Sequence, residues 1–295
     1  MKKIITLDCK QGAVRSARFN VDGNFSLTCG SDKSLKLWNP ITSTLLKTYS
    51  GHGYEVLDAQ SSCDNTNICS CGLDKTVIYW DVASGKVLRK YRGHAGTVNC
   101  VSFNEQSTLI LSGSIDGTVQ IWDVKSRRME PVQVLNEAKD SVTTIQVSDH
   151  EILVGSADCT IRRYDLRVGS MVVDCIGQPV TCVHLSKDGQ SMLVSSLDSS
   201  VKLIDKETGE MLNEYTGHKN DNYKIDSCLS ADDTKVFSGS EDGKVYIWDL
   251  VEAKFLDTLD HGSSVVHSLA HHPSKNTLIT AAADKVYVWG DPIVE

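Results

Sequence analysis

Three stretches of the sequence each contain a histidine, a serine and an aspartate, the residue types of a serine-nucleophile catalytic triad. In a triad the imidazole takes the hydroxyl proton and the carboxylate orients the imidazole. The three sets are His52, Ser70 and Asp74; His94, Ser112 and Asp116; and His218, Ser238 and Asp242. An active site is rarely present in triplicate, so the recurrence favours a structural role. With no unrepeated acid–base group elsewhere, we predict that the protein is not an enzyme.

Cysteines and a histidine pair are the other candidates for redox or metal chemistry. None of the ten cysteines lies in a C-x-x-C pair, and they are scattered among strand-like segments. His271 and His272 are adjacent, so on a strand their side chains face opposite ways. We therefore expect no cofactor, no metal site and reduced thiols, as in a cytosolic or nuclear protein.

The candidate catalytic residues belong to a sequence repeat. In each unit an aspartate is followed five or six residues later by an aromatic or aliphatic residue. The residue after that is aspartate, asparagine or glycine. The aspartates are Asp32, Asp74, Asp116, Asp158, Asp198, Asp242 and Asp284, spaced by 42, 42, 42, 40, 44 and 42 residues. Seven such units use the whole chain of 295 residues. We expect one domain spanning residues 1–295, with no second domain or linker.

Each unit reads as four short strands. Segments such as Val77–Trp80 and Val245–Trp248 are β-branched and aromatic, and turn signals such as Asp188-Gly189 separate them. A period near 42 with Gly-His and Trp-Asp marks is typical of a propeller blade. The sequence predicts an all-β, seven-bladed β-propeller with four antiparallel strands per blade.

The last unit ends one strand short, just after Trp289, whereas an unassigned apolar segment lies at residues 3–7. We predict that this N-terminal segment is the outer strand of the last blade. It would close the ring and leave no strand-deficient blade at the seam.

Three units carry a full signature, Gly51-His52 to Trp80-Asp81, Gly93-His94 to Trp122-Asp123 and Gly217-His218 to Trp248-Asp249. On these motifs the whole chain resembles the WD-repeat family. The resemblance implies that histidine, turn aspartate, serine and tryptophan form a buried hydrogen-bonded chain in each of these blades. The implied chains are His52-Asp74-Ser70-Trp80, His94-Asp116-Ser112-Trp122 and His218-Asp242-Ser238-Trp248.

Four units depart from the signature. Gln11 stands in the histidine position of blade 1, Val154 and Val194 replace the hydroxyl in blades 4 and 5, and blade 7 has Asp260-His261. We expect these blades to rely more on apolar packing.

A narrower resemblance is carried by Leu27–Asp32, by Tyr49–Asp58, by Gly217–Asn220 with Tyr223-Lys224, and by the unusual blade 5 segments Val194–Asp198 and Asp205–Glu210. These segments are similar to those of the mitogen-activated protein kinase organizer family. That resemblance implies a scaffold for the extracellular-signal-regulated kinase cascade, with association with the spliceosome in pre-mRNA splicing. Other proteins are the expected partners, and the expected location is cytoplasmic and nuclear.

A propeller binds its partners on its loop faces. Residues just before each turn aspartate and residues near the start of each first strand should lie on one such face. Among them Leu57, Leu73 and Ile115 would form an apolar patch across blades 2 and 3, bordered by polar groups. The candidates for partner binding are Arg15, Tyr54, Glu55, Leu57, Leu73, Asn99, Ile115, Leu197 and Glu241. Loop packing that covers these leucines is the alternative.

Charge and hydropathy narrow the class of partner. The net charge of −8 disfavours direct nucleic-acid binding, which needs a concentrated basic face. No run of 18 apolar residues is present, and the N-terminus lacks the apolar stretch of a signal peptide, so we expect no membrane partner. We expect a monomer.

One segment supports a different function. Ile161–Arg167, with its Tyr-Asp-x-Arg ending, resembles the box by which some WD-repeat proteins dock on the adaptor of a cullin–RING ubiquitin ligase. The alternative function is therefore that of a ligase substrate receptor.

Overall fold

Strands and turns make up the described part of the chain, residues 1–291 of a computed structural model. Its 28 strands form seven four-stranded antiparallel sheets, which we number as blades 1 to 7. The predicted seven-bladed β-propeller is thereby confirmed. No helix in the described residues is long and apolar enough to cross a membrane. Residues 292–295 of the expected domain lie outside the described residues.

In blades 1 to 6 the strands run in chain order from the centre of the ring outward, and in blade 7 the N-terminal strand β1 is outermost. Blades 1 to 3 contain β2 (Val14–Phe19), β3 (Ser26–Gly30), β4 (Ser34–Asn39), β5 (Thr44–Ser50), β6 (Val56–Ser61), β7 (Asn67–Gly72), β8 (Thr76–Asp81), β9 (Val87–Arg92), β10 (Val98–Phe103), β11 (Leu109–Ser114), β12 (Val119–Asp123) and β13 (Gln133–Leu135). Blades 4 to 6 contain β14 (Val142–Val147), β15 (Glu151–Ser156), β16 (Thr160–Asp165), β17 (Ser170–Cys175), β18 (Val180–Leu185), β19 (Ser191–Ser196), β20 (Ser200–Asp205), β21 (Met211–Thr216), β22 (Ser227–Leu229), β23 (Lys235–Gly239), β24 (Lys244–Asp249) and β25 (Phe255–Asp260). Blade 7 contains β26 (Val266–His271), β27 (Thr277–Ala282), β28 (Lys285–Gly290) and β1 (Lys2–Asp8).

The apolar core lies between neighbouring blades. Leu27 and Leu35 of blade 1 pack with Val56 and Trp80 of blade 2 in one buried cluster, and the same arrangement recurs around the ring. Because both faces of each sheet are apolar, a blade cannot bury its core alone. Stability therefore depends on stacking around a closed ring.

The aspartates that mark the repeat hold a tight turn between the second and third strands. The Asp74 and Asp116 carboxylates accept the backbone N–H two residues further on, at 3.2 and 3.0 Å. Lys75 and Gly117, between donor and acceptor, have φ of 61° and 77°. Aspartate suits this turn because its short side chain bonds the nearby backbone. The turn places the preceding residue, Leu73 or Ile115, on the loop face.

Strand β1 closes the ring as predicted. It pairs antiparallel with β28 from Lys2 opposite Gly290 to Asp8 opposite Lys285, with one irregularity between Lys3 and Ile5. Leu7 is buried in a cluster shared with blade 1. The strand is two residues longer than the predicted segment 3–7, one at each end.

Deletion of residues 1–8 should destabilise the whole propeller, because it exposes the edge of β28 and uncovers Leu7's cluster. We expect a clearly lower melting temperature for the truncated chain, measured by circular dichroism. The matched control, Lys2→Ala with Lys3→Ala, keeps the backbone pairing and should melt close to the parent. A truncated protein with an unchanged melting temperature would contradict the closure.

Candidate functional site

Blades 2 and 3 contain the hydrogen-bonded chains that the family resemblance implies. In blade 2 His52 Nδ1 lies 3.0 Å from Asp74 Oδ1 and His52 Nε2 lies 2.7 Å from Ser70 Oγ. The indole N–H of Trp80 donates to the same hydroxyl oxygen at 2.8 Å. Blade 3 repeats this geometry; the atom pairs are His94 Nδ1 and Asp116 Oδ2 at 3.1 Å, His94 Nε2 and Ser112 Oγ at 2.8 Å, and Trp122 Nε1 and Ser112 Oγ at 2.9 Å.

These chains are built for stability and leave no free nucleophile. Ser70 and Ser112 are fully buried, each between an imidazole and an indole N–H. Burial acts to raise the pKa of Asp116, but hydrogen bonds from Thr118 and the proximity of His94 outweigh it and lower that pKa to about 2. The carboxylate therefore stays charged and holds the turn and the blade junction together.

The third implied chain, in blade 6, is not formed. His218 is buried, and neither of its ring nitrogens has a hydrogen-bond partner among the described residues. Ser238 Oγ instead donates to the carbonyl of Gly239 at 3.1 Å. Asp242 accepts the phenol of Tyr246 at 2.8 Å, while His218 packs edge-on against Trp248 with ring centroids 5.6 Å apart. Burial lowers the pKa of His218 from 6.5 to about 4, so its ring stays neutral near pH 7.

Tyr246 occupies a position on the third strand that explains the departure. It lies opposite Ser238 in the sheet, where blade 2 has Ile78 and blade 3 has Gln120. The Tyr246 phenol reaches the turn aspartate and takes the place of the histidine, whereas Gln120 leaves the contact between His94 and Asp116 intact. The sequence carries this signal in the tyrosine four residues after the aspartate, which lies outside the motif of histidine, serine, aspartate and tryptophan.

Blades 4 and 5 combine the expected apolar packing of Val154 and Val194 with a charged contact at the same third-strand position. In blade 4 Arg162 Nη2 lies 2.7 Å from Asp158 Oδ2, with both side chains almost buried. In blade 5 Lys202 Nζ lies 3.2 Å from Asp198 Oδ2. These two blades replace the histidine chain with an ion pair.

Blades 1 and 7 also retain polar chains, contrary to expectation. Gln11 substitutes for histidine, since its Oε1 accepts the hydroxyl of Thr28 at 2.5 Å and Trp38 Nε1 donates to that hydroxyl at 2.9 Å. In blade 7 His261 Nε2 lies 2.7 Å from Thr280 Oγ1, which also accepts the indole N–H of Trp289 at 2.8 Å. The resemblance identified the tryptophan and the hydroxyl but not these alternative partners.

Three partner-binding candidates are well exposed on the loop face. Tyr54, Leu73 and Ile115 have exposed fractions of 62%, 39% and 56%. Leu57, on the first strand of blade 2, is half-buried. Loop packing therefore does not cover Leu73 and Ile115, and the apolar patch of Leu57, Leu73 and Ile115 is open at its outer members.

The polar candidates are occupied by contacts within the protein. Arg15 and Glu55 form an ion pair of 3.2 Å across blades 1 and 2. The Asn99 amide donates to Ser141 Oγ and to the carbonyl of Val142, at 3.0 and 2.9 Å.

Two further candidates are less available than the sequence suggested. The carboxylate of Glu241 is only 6% exposed, and it accepts the backbone N–H groups of residues 221, 222 and 223. Glu241 therefore holds the loop of residues 221–223 in place. Leu197 is half-buried.

A wider opening lies at the other end of the ring axis, with a cavity volume of about 650 Å³. Arg18 lines this cavity, and its guanidinium lies 2.9 Å from the buried Asp58, which also accepts the hydroxyl of Ser16 at 3.1 Å. Within residues 1–291 no group of three or more His, Cys, Asp or Glu side chains is arranged to hold a metal ion.

Two family models match the chain, and together they match at least part of each of the seven blades. The model described as WD domain, G-beta repeat, matches residues 1–39, 209–249 and 253–289. The model described as Nucleolar protein 10-like, N-terminal domain, matches residues 56–228. The chain belongs to the WD-repeat β-propeller family, whose members are in general non-catalytic scaffolds for protein–protein interaction.

Relatives with the same fold signature match along almost their full length. The chain is 65% identical over 294 residues to WD repeat domain-containing protein 83 of Rattus norvegicus and of Homo sapiens, covering 100% of this chain and 93% of each relative. A homolog of that protein in Dictyostelium discoideum is 36% identical over 307 residues, covering 94% of each chain. These names specify the repeat and not a partner, so the kinase-organizer resemblance rests on the sequence segments alone.

Ser70→Ala should destabilise the propeller more than Ser238→Ala. The first change leaves the buried Trp80 N–H and His52 Nε2 without a partner, at a cost of about 1–3 kcal/mol. The second removes a hydroxyl that joins no chain. Urea unfolding of both variants measures the difference, and equal losses would show that the blade 2 chain contributes nothing specific.

Proposed function

We propose that the protein is a non-catalytic scaffold that assembles components of a signalling cascade, of the kind that the mitogen-activated protein kinase organizer family serves. The observation that carries this proposal is the apolar patch on the loop face of blades 2 and 3. Exposed apolar side chains rimmed by polar groups are typical of protein interfaces. The polar hydrogen-bonded chains, by contrast, are buried and structural.

The patch suits a binding platform because its supporting residues are rigid. Leu73 and Ile115 each precede a turn aspartate whose carboxylate is tied to a buried histidine. Their backbone N–H groups bond the carbonyls of Glu55 and Thr97, at 3.0 and 2.9 Å. Binding to such a surface costs little ordering entropy.

Association with the spliceosome is the second role that we propose, on the same resemblance, together with a cytoplasmic and nuclear location. The net charge of −8 favours contact through splicing proteins over direct contact with RNA.

The double variant Leu73→Asp with Ile115→Asp should lose its protein partners and keep its fold. Both residues are exposed, so the ring loses no core contact, whereas two carboxylates in an apolar interface oppose binding. Affinity purification with mass spectrometry from nuclear and cytosolic fractions measures partner loss. The matched control is Leu45→Asp with Leu46→Asp, exposed leucines on the outer strand of blade 1. Retention of every partner by the patch variant, at an unchanged melting temperature, would rule out the patch.

The alternative to a scaffold is a ubiquitin-ligase substrate receptor, which is favoured by the exposure of Arg167. Its side chain is 62% exposed, and Asp165 holds the guanidinium at 2.9 Å on the outer part of blade 4. Arg163, by contrast, pairs with Asp174 and is mostly buried.

If the chain docks on a cullin–RING adaptor, Arg167→Ala should abolish co-purification with that adaptor and leave the melting temperature unchanged. Arg128→Ala, at an exposed site on blade 3, is the control. Absence of the adaptor from purifications of the unaltered chain would exclude this function.

A further inference from the structure

A groove with three cationic side chains lies over blade 2 on the same loop face as the apolar patch. Its volume is about 370 Å³, and it lies between the junction loops that contain Gly53 and His94. Lys75, Lys90 and Arg92 line it, with Tyr54 at one side. We call these four residues and the space between them the cationic groove.

The strand register explains why the cations point into one space. Lys90 and Arg92 are two residues apart on β9, so their side chains leave the strand on the same face. Arg92 lies opposite Thr76, and Lys75 occupies the turn directly before Thr76. Three cations therefore converge from one strand and one turn.

The positive charge of the groove is only partly compensated. Asp74, the carboxylate that lines it, lies 3.6 Å from Lys90 and is otherwise occupied by His52, Gly53 and Thr76. Lys75 Nζ donates to the carbonyl of Ala95 at 2.7 Å, which orients the ammonium without neutralising it. The Arg92 guanidinium makes no hydrogen bond or ion pair with any described residue. About two positive charges are left over in a chain whose net charge is −8.

The groove is continuous with the apolar patch. Lys75 follows Leu73 and Asp74 in the turn, and it reaches the loop at Ala95. The next residue, Gly96, packs so closely against Ile115 that a Cβ atom there would overlap the isoleucine Cγ2. Cationic and apolar surfaces thus meet along one loop.

We propose that the cationic groove binds an acidic segment of a partner protein, with aspartate or glutamate carboxylates beside Lys75 and Arg92 and a neighbouring apolar side chain on Leu73 and Ile115. This inference rests on the proposed function, since it names the chemistry of the partner that the platform takes. The complementarity of charge and the adjoining apolar surface select the segment. Three cations form too short a track for a nucleic-acid backbone, which is bound by an extended basic face.

The probe is a fluorescein-labelled peptide, Gly-Ser-Glu-Glu-Leu-Glu-Glu-Ser-Gly, titrated with the full chain and followed by fluorescence anisotropy. We expect saturable binding that weakens as salt is raised, because exposed charges are screened. Lys75→Glu with Arg92→Glu should weaken binding by at least about tenfold. Arg127→Glu with Arg128→Glu makes the same change of charge on the opposite face of blade 3 and should leave binding unchanged.

Two further peptides test the chemistry of recognition. A peptide with glutamine in place of glutamate should not bind, and equal binding of both would overturn the proposal. Binding of a phosphoserine version alone would overturn the assignment to carboxylates. Failure of the glutamate peptide to bind the unaltered chain would also overturn it. Lys75→Ala with Arg92→Ala provides the same comparison if the charge-reversed variant does not fold.

The peptide titration and the affinity purification together distinguish failure of the groove proposal from failure of the scaffold proposal. If Leu73→Asp with Ile115→Asp removes cellular partners but the glutamate peptide does not bind, the groove proposal fails and the scaffold proposal stands. If that variant keeps every partner at an unchanged melting temperature, the patch is ruled out as the binding surface of the scaffold, whatever the peptide does.

Discussion

The structure depends on the contact between neighbouring blades. Each blade is a four-stranded sheet with two apolar faces, and only another blade can cover each face. The large buried side chains, such as Trp80 and Trp122, lie at these contacts. The ring must therefore close, and the pairing of β1 with β28 supplies the last cover. The apolar residues of the strands are constrained by this packing, whereas the side chains that contact the turn aspartate vary from blade to blade.

Variation in the partners of the turn aspartate follows one electrostatic requirement. The turn aspartate is needed to hold the backbone, yet a carboxylate close to a buried junction needs partners. Histidine meets that need in blades 2 and 3, Arg162 in blade 4, Lys202 in blade 5 and Tyr246 in blade 6. Loss of the signature histidine chain thus changes the kind of interaction and not the satisfaction of the carboxylate.

The number of blades, the strand count and the closing strand were predictable, because they follow from a period and from alternation that each unit repeats. The polar chains of blades 2 and 3 were predictable because their motif is local. The arrangement of polar side chains in blade 6 was not predictable. It depends on whether His218 or Tyr246 reaches Asp242, and the sequence spacing places both side chains near that aspartate. The roles of Asn99 and Glu241 were missed for a related reason. A loop-face position predicts exposure, but a polar side chain there is free to bond the adjacent loop.

The way each blade satisfies its turn aspartate also decides which charges remain for a partner. In blades 4 and 5 the cation on the third strand is consumed by Asp158 or Asp198. In blade 2 the His52 ring does that work and the third-strand position is the apolar Ile78, so Lys75 and Arg92 lie beyond the internal pairing. An intact histidine chain therefore does more than stabilise its blade. It leaves the cations of that blade on the surface, next to Leu73 and Ile115, and so gives an otherwise acidic ring one position suited to an acidic partner.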